Sequence, residues 1–273
     1  MRIKNNFKIS KGLIYLMLWM WVVFQVFPMF YMVLSSLKTD PEIMTNPFSL
    51  PASLYVQNYI DVWGSKETSL GVYFSNSVFV TVGTLLILGV VSMLCGYAVA
   101  RYRFPGHMLV YVLMICFIAV PTHSLMVPVY TFMKEIGLTN NFYGLMLVYT
   151  AFNIPFSVVL MKSHFETIPA EIEEAARIDG CNEFRVFRHV GLPMAKGAIA
   201  TVTIINITSV WSELMFASVL LMDTKKRTLP IAISLFNTSV YNTSIGVLMA
   251  GLTIASLPLL IMYFIFQKQI VKG

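Results

Sequence analysis

Six runs of mainly apolar residues divide this chain: Leu13–Leu34, Phe79–Val99, Met108–Met133, Tyr143–Met161, Ala198–Leu221 and Gly246–Phe266. About twenty such residues form a helix long enough to cross the roughly 30 Å hydrocarbon core of a bilayer. Inside that core every backbone N–H and C=O must find its partner within the protein, so runs of this length span as helices. Composition agrees: 57% of the 273 residues are hydrophobic and 12% are charged, against about 25% charged in a soluble domain. The expected fold is all-α, a polytopic membrane protein with six transmembrane helices in one domain over residues 1–273.

Arg2, Lys4, Lys8 and Lys11 precede the first run as they would in a signal peptide. The apolar stretch is longer than a signal's, however, and Ser35-Ser36-Leu37-Lys38 does not read as a small-residue cleavage site, so a retained anchor is expected. Cytoplasmic segments of membrane proteins are enriched in Lys and Arg. With the N-terminus inside, the inner segments hold the four cations just named, Arg101, Arg103, five from Lys162 to Lys196, Lys268 and Lys272, thirteen of nineteen. The outer remainder is Lys38, Lys66, Lys134 and the cluster Lys225-Lys226-Arg227. An even number of spans then places both termini in the cytoplasm. Topology accounts for the net charge of +6, and no nucleic-acid partner is implied, because no basic surface is interleaved with exposed aromatics. Cys95 and Cys116 fall in helices and Cys181 in a cytoplasmic loop, which leaves free thiols and no extracellular disulfide framework.

Between the spans, Pro41, Pro47 and Pro51 punctuate an outer loop over Lys38–Val72. Its amphipathic run around Tyr55–Trp63 either lies along the membrane surface or serves as a plain linker. Gly83, Gly89, Gly96 and Ala100 recur on one side of the second span, where small residues let a neighbouring helix approach closely, either within this chain or across a subunit interface. Pro121, His123 and Pro128 fall in the outer half of the third run. Either this helix is broken beside a solute path, where protein or water satisfies the freed backbone, or Pro121 ends it and a loop follows. About eight residues around Lys134–Asn141 join the third and fourth spans as a tight antiparallel hairpin.

The loop between the fourth and fifth spans carries Glu166, Glu171, Glu173, Glu174, Asp179 and Glu183, six of the thirteen acidic residues, with Arg177, Arg185, Arg188 and His189. Pro169 suits the first position of a helix, and the following glutamates fall where the helix dipole favours negative charge. Gly180 suits the left-handed position that ends a helix. Asn182 can cap a second helix through Phe184–His189, which Gly191 and Pro193 terminate. Ile172, Ala175 and Ala176 share one face, and Phe184 and Phe187 supply a second apolar anchor. This helix–turn–helix reads as a docking surface.

Its pattern is Glu174-Ala175-Ala176, three residues, Gly180, nine residues, Val190, one residue, then Leu192-Pro193. It resembles the EAA loop of ABC-importer permeases, with Val190 in place of the usual isoleucine. Further matches resemble the carbohydrate-uptake branch, and within it the second permease subunit of maltose and multiple-sugar transporters. They are Ser36-Leu37-Lys38, Asn58-Tyr59, Asn76-Ser77, Gly96-Tyr97-Ala98-Val99-Ala100-Arg101, Ile178-Asp179-Gly180, Trp211-Ser212-Glu213 and Thr228-Leu229-Pro230.

The resemblance implies a type I ABC-importer permease fold in a bacterial plasma membrane, with a cytoplasmic coupling loop over about residues 163–193. The implied assembly contains a homologous second permease subunit, two cytosolic ATP-binding subunits, an extracellular solute-binding protein, a sugar cargo and surrounding lipid. It assigns ATPase coupling to Glu174, Ala175, Ala176, Gly180, Val190, Leu192 and Pro193. Glu174 would bond to the ATPase and Gly180 would set the angle between the two helices. Members often continue past the Val271-Lys272-Gly273 region with a tail between the ATPase subunits, which puts that tail's role in doubt for this chain.

Glu213 lies in the fifth span, where an ionisable group marks either a functional site or a buried structural hydrogen bond. Trp211 beside it could stack on a sugar or simply pack. Asn76, Asn153, Asn206 and Ser209 complete the polar candidates for the pathway. The sequence has no Gly-x-x-x-x-Gly-Lys-[Ser/Thr] phosphate loop, and no paired-His, Cys-cluster or Gly-x-Ser-x-Gly constellation. No catalytic, metal or cofactor site is expected, and ATP hydrolysis must come from a partner. Two alternatives are a phosphorylated polyol as cargo and an ion-coupled secondary transporter. The latter calls for inverted repeats and several intramembrane ionisable groups, of which Glu213 alone is evident.

Overall fold

The computed structural model describes residues 3–64, 70–236 and 244–272. Every regular element among them is helical. Arg2, Lys66 and Gly273, which entered the cation count and the tail comparison, lie outside the described residues. In chain order the helices are α1 (Ile3–Ser36), α2 (Asp40–Thr45), α3 (Gln57–Gly64), α4 (Leu70–Arg101), α5 (His107–Ile118), α6 (Met126–Glu135) and α7 (Phe142–Thr167). They continue as α8 (Ala170–Ile178), α9 (Glu183–Met194), α10 (Lys196–Trp211), α11 (Met215–Leu220), α12 (Leu229–Phe236) and α13 (Ile245–Lys272).

Four of these, α1, α4, α7 and α13, are each long and apolar enough to cross a membrane, and the number reaches six only if each of two bent pairs counts as one span. The third span is one such pair: α5 and the segment from Thr122 to the end of α6 are bent by 94°. Pro121 supplies the cause, since it disfavours helical geometry in the residue before it and itself adopts φ −68°, ψ 100°. The helix stops short of Pro121 and then resumes, so the run is broken as one expectation had it, and helix stands where the other expected a loop. Pro128 sits in the first turn of α6, where a missing N–H is harmless.

The fifth span departs from its expected extent. Ala198–Leu221 is not one helix: α10 ends at Trp211, three residues intervene, and α11 begins at Met215. The second bent pair is α9 with α10, at 72° about Ala195. Gly191 and Pro193 do not terminate the loop's second helix as expected. Phe187–Gly191 forms a π turn in which the Leu192 N–H reaches the Phe187 carbonyl. This shifts the register just before Pro193, which has no N–H to lose.

The described chain divides into two compact units. One comprises Met1–Leu70 with Ile233–Ser256. None of the most apolar stretch of α1 is buried, so its surface suits lipid or another membrane helix. After it, Lys38 is fully buried and donates to Asn46 O at 3.0 Å, Pro47 O at 3.3 Å and Ser49 Oγ at 3.3 Å. Asn58 Nδ2 bridges Ser36 O and Lys38 O at 2.9 and 2.8 Å. The Gly246 N–H donates to Asp40 Oδ1 at 2.9 Å. A proline-punctuated loop is thereby given a fixed shape.

The other unit comprises Gly71–Ala232 with Leu257–Gly273. Within it α7 is the most buried of the long spans. A Cβ on Gly96 would come within 2.7 Å of Met161 Cβ, and one on Gly83 within 2.6 Å of Met146 Sδ. Gly83 and Gly96 therefore pack on α7 of the same chain, while a Cβ on Gly89 would meet only Met93 of α4 itself. Below that contact Tyr97, Met161, Phe165, Ile168, Phe187 and Ala198 form an apolar core that draws α4, α7, α9 and α10 together.

Candidate functional site

The loop from Ile168 to Ala195 is built around α8. Pro169 falls one position earlier than expected, at the cap with φ −56° and ψ 131°, and Glu171 and Glu173 lie in the first turn. The helix ends as the sequence suggests. Gly180 has φ +85°, its N–H reaches Arg177 O, and the Cys181 N–H reaches Ala176 O, both at 3.0 Å. This is the paired hydrogen-bond pattern of a Schellman turn. Asn182 then accepts from the Arg185 N–H at 2.9 Å and starts α9.

A face that sequence reasoning did not single out holds α8 in place. The Glu173 side chain is 2% exposed and takes Arg101 Nε at 2.9 Å, with the Tyr97 hydroxyl at 3.3 Å. Arg101 Nη2 also donates to Ile168 O at 2.8 Å. One turn later Arg177 gives two hydrogen bonds to Glu183, at 2.9 and 3.1 Å, and the Tyr102 hydroxyl gives a third at 2.7 Å. The bonds from Arg177, then that from Tyr102, hold the Glu183 carboxyl below the usual carboxylate range. Burial, then the bond to Glu183, pushes the Tyr102 phenol up to about 12. The available signal was spacing: Tyr97 with Arg101, and Glu173 with Arg177, are both four apart and so share helix faces.

On the opposite side of α8, Glu171, Glu174, Ala175 and Ile178 are exposed, Ile178 at 86%. Ala176 is half-buried and Gly180 exposed; Val190 and Leu192 are half-buried, and Pro193 is exposed. The two expected aromatic anchors separate. Phe184 is exposed, but Phe187 is buried, with its ring 4.9 Å from that of Tyr97. Phe187 is thus a core residue, which leaves Phe184 alone on the surface.

The polar candidates form a seam between α7 and α10. Asn206 is 1% exposed and donates to Ser157 Oγ at 2.9 Å and to Val202 O at 2.7 Å. Ser209, which is exposed, donates to Asn153 Oδ1 at 3.2 Å, and Asn153 donates to Tyr149 O at 2.7 Å. Glu213 lies in the break after α10. Its carboxylate accepts from the Tyr149 hydroxyl at 2.5 Å and from the N–H groups of Phe216 and Ala217 at 2.8 and 3.1 Å. It therefore caps α11, and the interruption between α10 and α11 supplies the carboxylate with its backbone partners. Trp211 is buried with its ring edge-on to Phe74, centroids 5.6 Å apart. Asn76 stands apart from the seam and donates to Lys225 O and Arg227 O, each at 2.9 Å. With Ser77, which accepts from the Leu229 N–H at 2.7 Å, it fixes the segment that carries the basic cluster.

Fold and loop together define a membrane-embedded transport subunit with an exposed, clasped helix. Residues 90–273 match the family described as binding-protein-dependent transport system inner membrane component, and the chain belongs to that family. Among its relatives is the diacetylchitobiose uptake system permease protein NgcG of Streptomyces coelicolor, 34% identical over 92% of this chain and 83% of the relative. Another is the probable starch degradation products transport system permease protein AmyC of Thermoanaerobacterium thermosulfurigenes, 32% identical over 96% of this chain and 92% of the relative. A bacterial ABC transporter involved in the import of the acidic polysaccharide alginate shares the fold. There the TM-score is 0.85 at 24% identity, covering 96% of both chains.

Proposed function

We propose that this chain is one of two homologous permease subunits of an ATP-driven importer that takes up an oligosaccharide. It stands in a bacterial plasma membrane with both termini in the cytoplasm and forms half of the translocation pathway. One of two cytosolic ATP-binding subunits binds the outward face of α8, and an extracellular solute-binding protein delivers the sugar. Family membership and the cargoes named for NgcG and AmyC support the sugar reading.

The observation that carries the coupling role is the construction of α8. A loop that only linked two spans would have no reason to expose Ile178 beside Ala175 and Glu174 while burying a glutamate behind them. An apolar, small-residue surface with one carboxylate suits a protein partner, and Gly180 sets how α9 leaves it. Val190, Leu192 and Pro193 carry the far end of the loop into α10. In the pathway, Asn153, Ser209 and Glu213 offer partly exposed polar atoms, and the buried Asn206 and Trp211 support them from behind. Asn76 contributes by fixing the outer segment.

The test uses the complete transporter with its partner subunits. Replacing Glu174 with Ala together with Ile178 with Ser should leave this chain in the membrane but release the ATP-binding subunits during purification. Retention of those subunits with parental uptake would overturn the assignment. Oligosaccharide binding to the solute-binding protein, read with oligosaccharide-stimulated ATP hydrolysis, tests the cargo.

A further inference from the structure

Arg101 joins three parts of the molecule at one point. It is the last residue of α4, and its two hydrogen bonds reach Glu173 on α8 and the carbonyl of Ile168, which caps α7. Tyr97, one turn earlier on α4, adds a third bond to the same carboxylate. A charge withdrawn from water this far depends on fixed partners, and removing one partner strands the other. The second clasp, from Arg177 and Tyr102 to Glu183, lies on the same face of α8 one turn on. Both clasps lie opposite the exposed residues Glu174, Ala175 and Ile178. A force applied to that outward face therefore cannot roll α8 unless both clasps break.

We propose that Arg101 and Glu173 are positioning residues for transport: their buried pair makes α8 and the end of α4 move as one body. Displacement imposed on α8 then enters α4 directly, in addition to the covalent route through α7 and α9. The inference rests on the coupling reading above and adds the route by which force leaves the loop. Glu174 meets the partner, while Glu173 transmits what the partner does.

The experiment compares Glu173→Gln, Arg101→Glu and the exchange Arg101→Glu with Glu173→Arg in the assembled transporter in proteoliposomes, at matched amounts of protein. Glu173→Gln keeps the shape of the side chain but removes its charge. It should retain the ATP-binding subunits and basal hydrolysis, and lose about tenfold in solute moved per ATP. Arg101→Glu should transport less still, and the exchange should recover part of that loss. Three results overturn the proposal: a parental solute-to-ATP ratio in Glu173→Gln, release of the ATP-binding subunits by Glu173→Gln, or an exchange no better than the worse single variant. Glu174→Ala, run in parallel, separates this from failure of the coupling reading. If it keeps the ATP-binding subunits and parental coupling, the docking assignment itself fails. If it releases them while Glu173→Gln transports normally, the pair alone is refuted.

Discussion

Glu213 illustrates what a charge needs in order to persist inside a span. Its two oxygens receive a phenol and two backbone N–H groups, and hydrogen bonds to charged groups contribute about 1.5–3 kcal/mol each. Glu213→Ala should therefore destabilise the protein by roughly 2–4 kcal/mol, read as an earlier thermal transition of the purified protein in detergent. Glu213→Gln should melt much closer to the parent, and its response to solute then isolates any role in the pathway. The carboxylate itself was conspicuous in the sequence. Its partners were not, because no local pattern gives the register of α7 against α10. Glu173 was hidden differently, as one of three neighbouring glutamates whose exposure depends on where α4 ends. Glu183 allows a prediction about acid. Its folded pKa is depressed, so its contribution is present above the usual carboxylate range and disappears as pH falls through the lowered value. Measured against Glu183→Gln as control, the parent's solute-to-ATP ratio should accordingly show no fall of its own from about pH 7 to about pH 5, and a fall in the parent alone would refute the role of this clasp.

At the level of elements, turn chemistry was the most legible part. Gly180 and Asn182 do what their residue types favour, because caps are decided within a few residues. Nothing lies within 4 Å of a Cβ built on Gly180, so substitutions there act through the backbone and not through a clash. The left-handed conformation costs an ordinary L-residue roughly 1–2 kcal/mol, and asparagine tolerates it best. Coupling should decline in the order Gly180→Asn, Gly180→Ala, Gly180→Val, with membrane insertion unchanged, as measured by uptake per ATP. An equal effect of all three would show that the turn angle is not what matters. Gly96 contrasts with this. Its absent side chain is where the Met161 Cβ and the Lys162 backbone approach, so Gly96→Ala must push α4 away from α7 and should cost about 1–3 kcal/mol. Helix breaks were less legible than caps. Pro121 announced one, but the interruption at Ser212–Leu214 has no proline, and the π turn before Pro193 replaces the expected stop with a continued helix. In both places a tertiary hydrogen bond or a register shift overrode what the local sequence favours.

For the whole molecule, hydropathy located the spans because each crossing must be apolar along most of its length, whatever its partners. It could not distinguish straight spans from bent pairs, since both satisfy the same length and composition. Cargo selectivity is the least legible property. The polar groups of the seam are largely engaged within this chain, and under the proposed function a second subunit would supply the rest of the pathway. The proposed sidedness rests on the distribution of cations, and two exposed positions allow it to be tested directly. Ile178 lies on the outward face of α8, and Thr224 lies exposed beside the Lys225-Lys226-Arg227 cluster. If thirteen of the nineteen cations are cytoplasmic, these two positions lie on opposite sides of the membrane. In a variant lacking Cys95, Cys116 and Cys181, an impermeant maleimide applied to spheroplasts should label Thr224→Cys and leave Ile178→Cys untouched. Inverted vesicles stripped of the ATP-binding subunits should give the reverse pattern. Adding those subunits back should then protect Ile178→Cys, because the same surface that orients the loop would be the one they cover. Labelling of both positions from one side would invert half of the topology and remove α8 from the reach of any cytosolic partner.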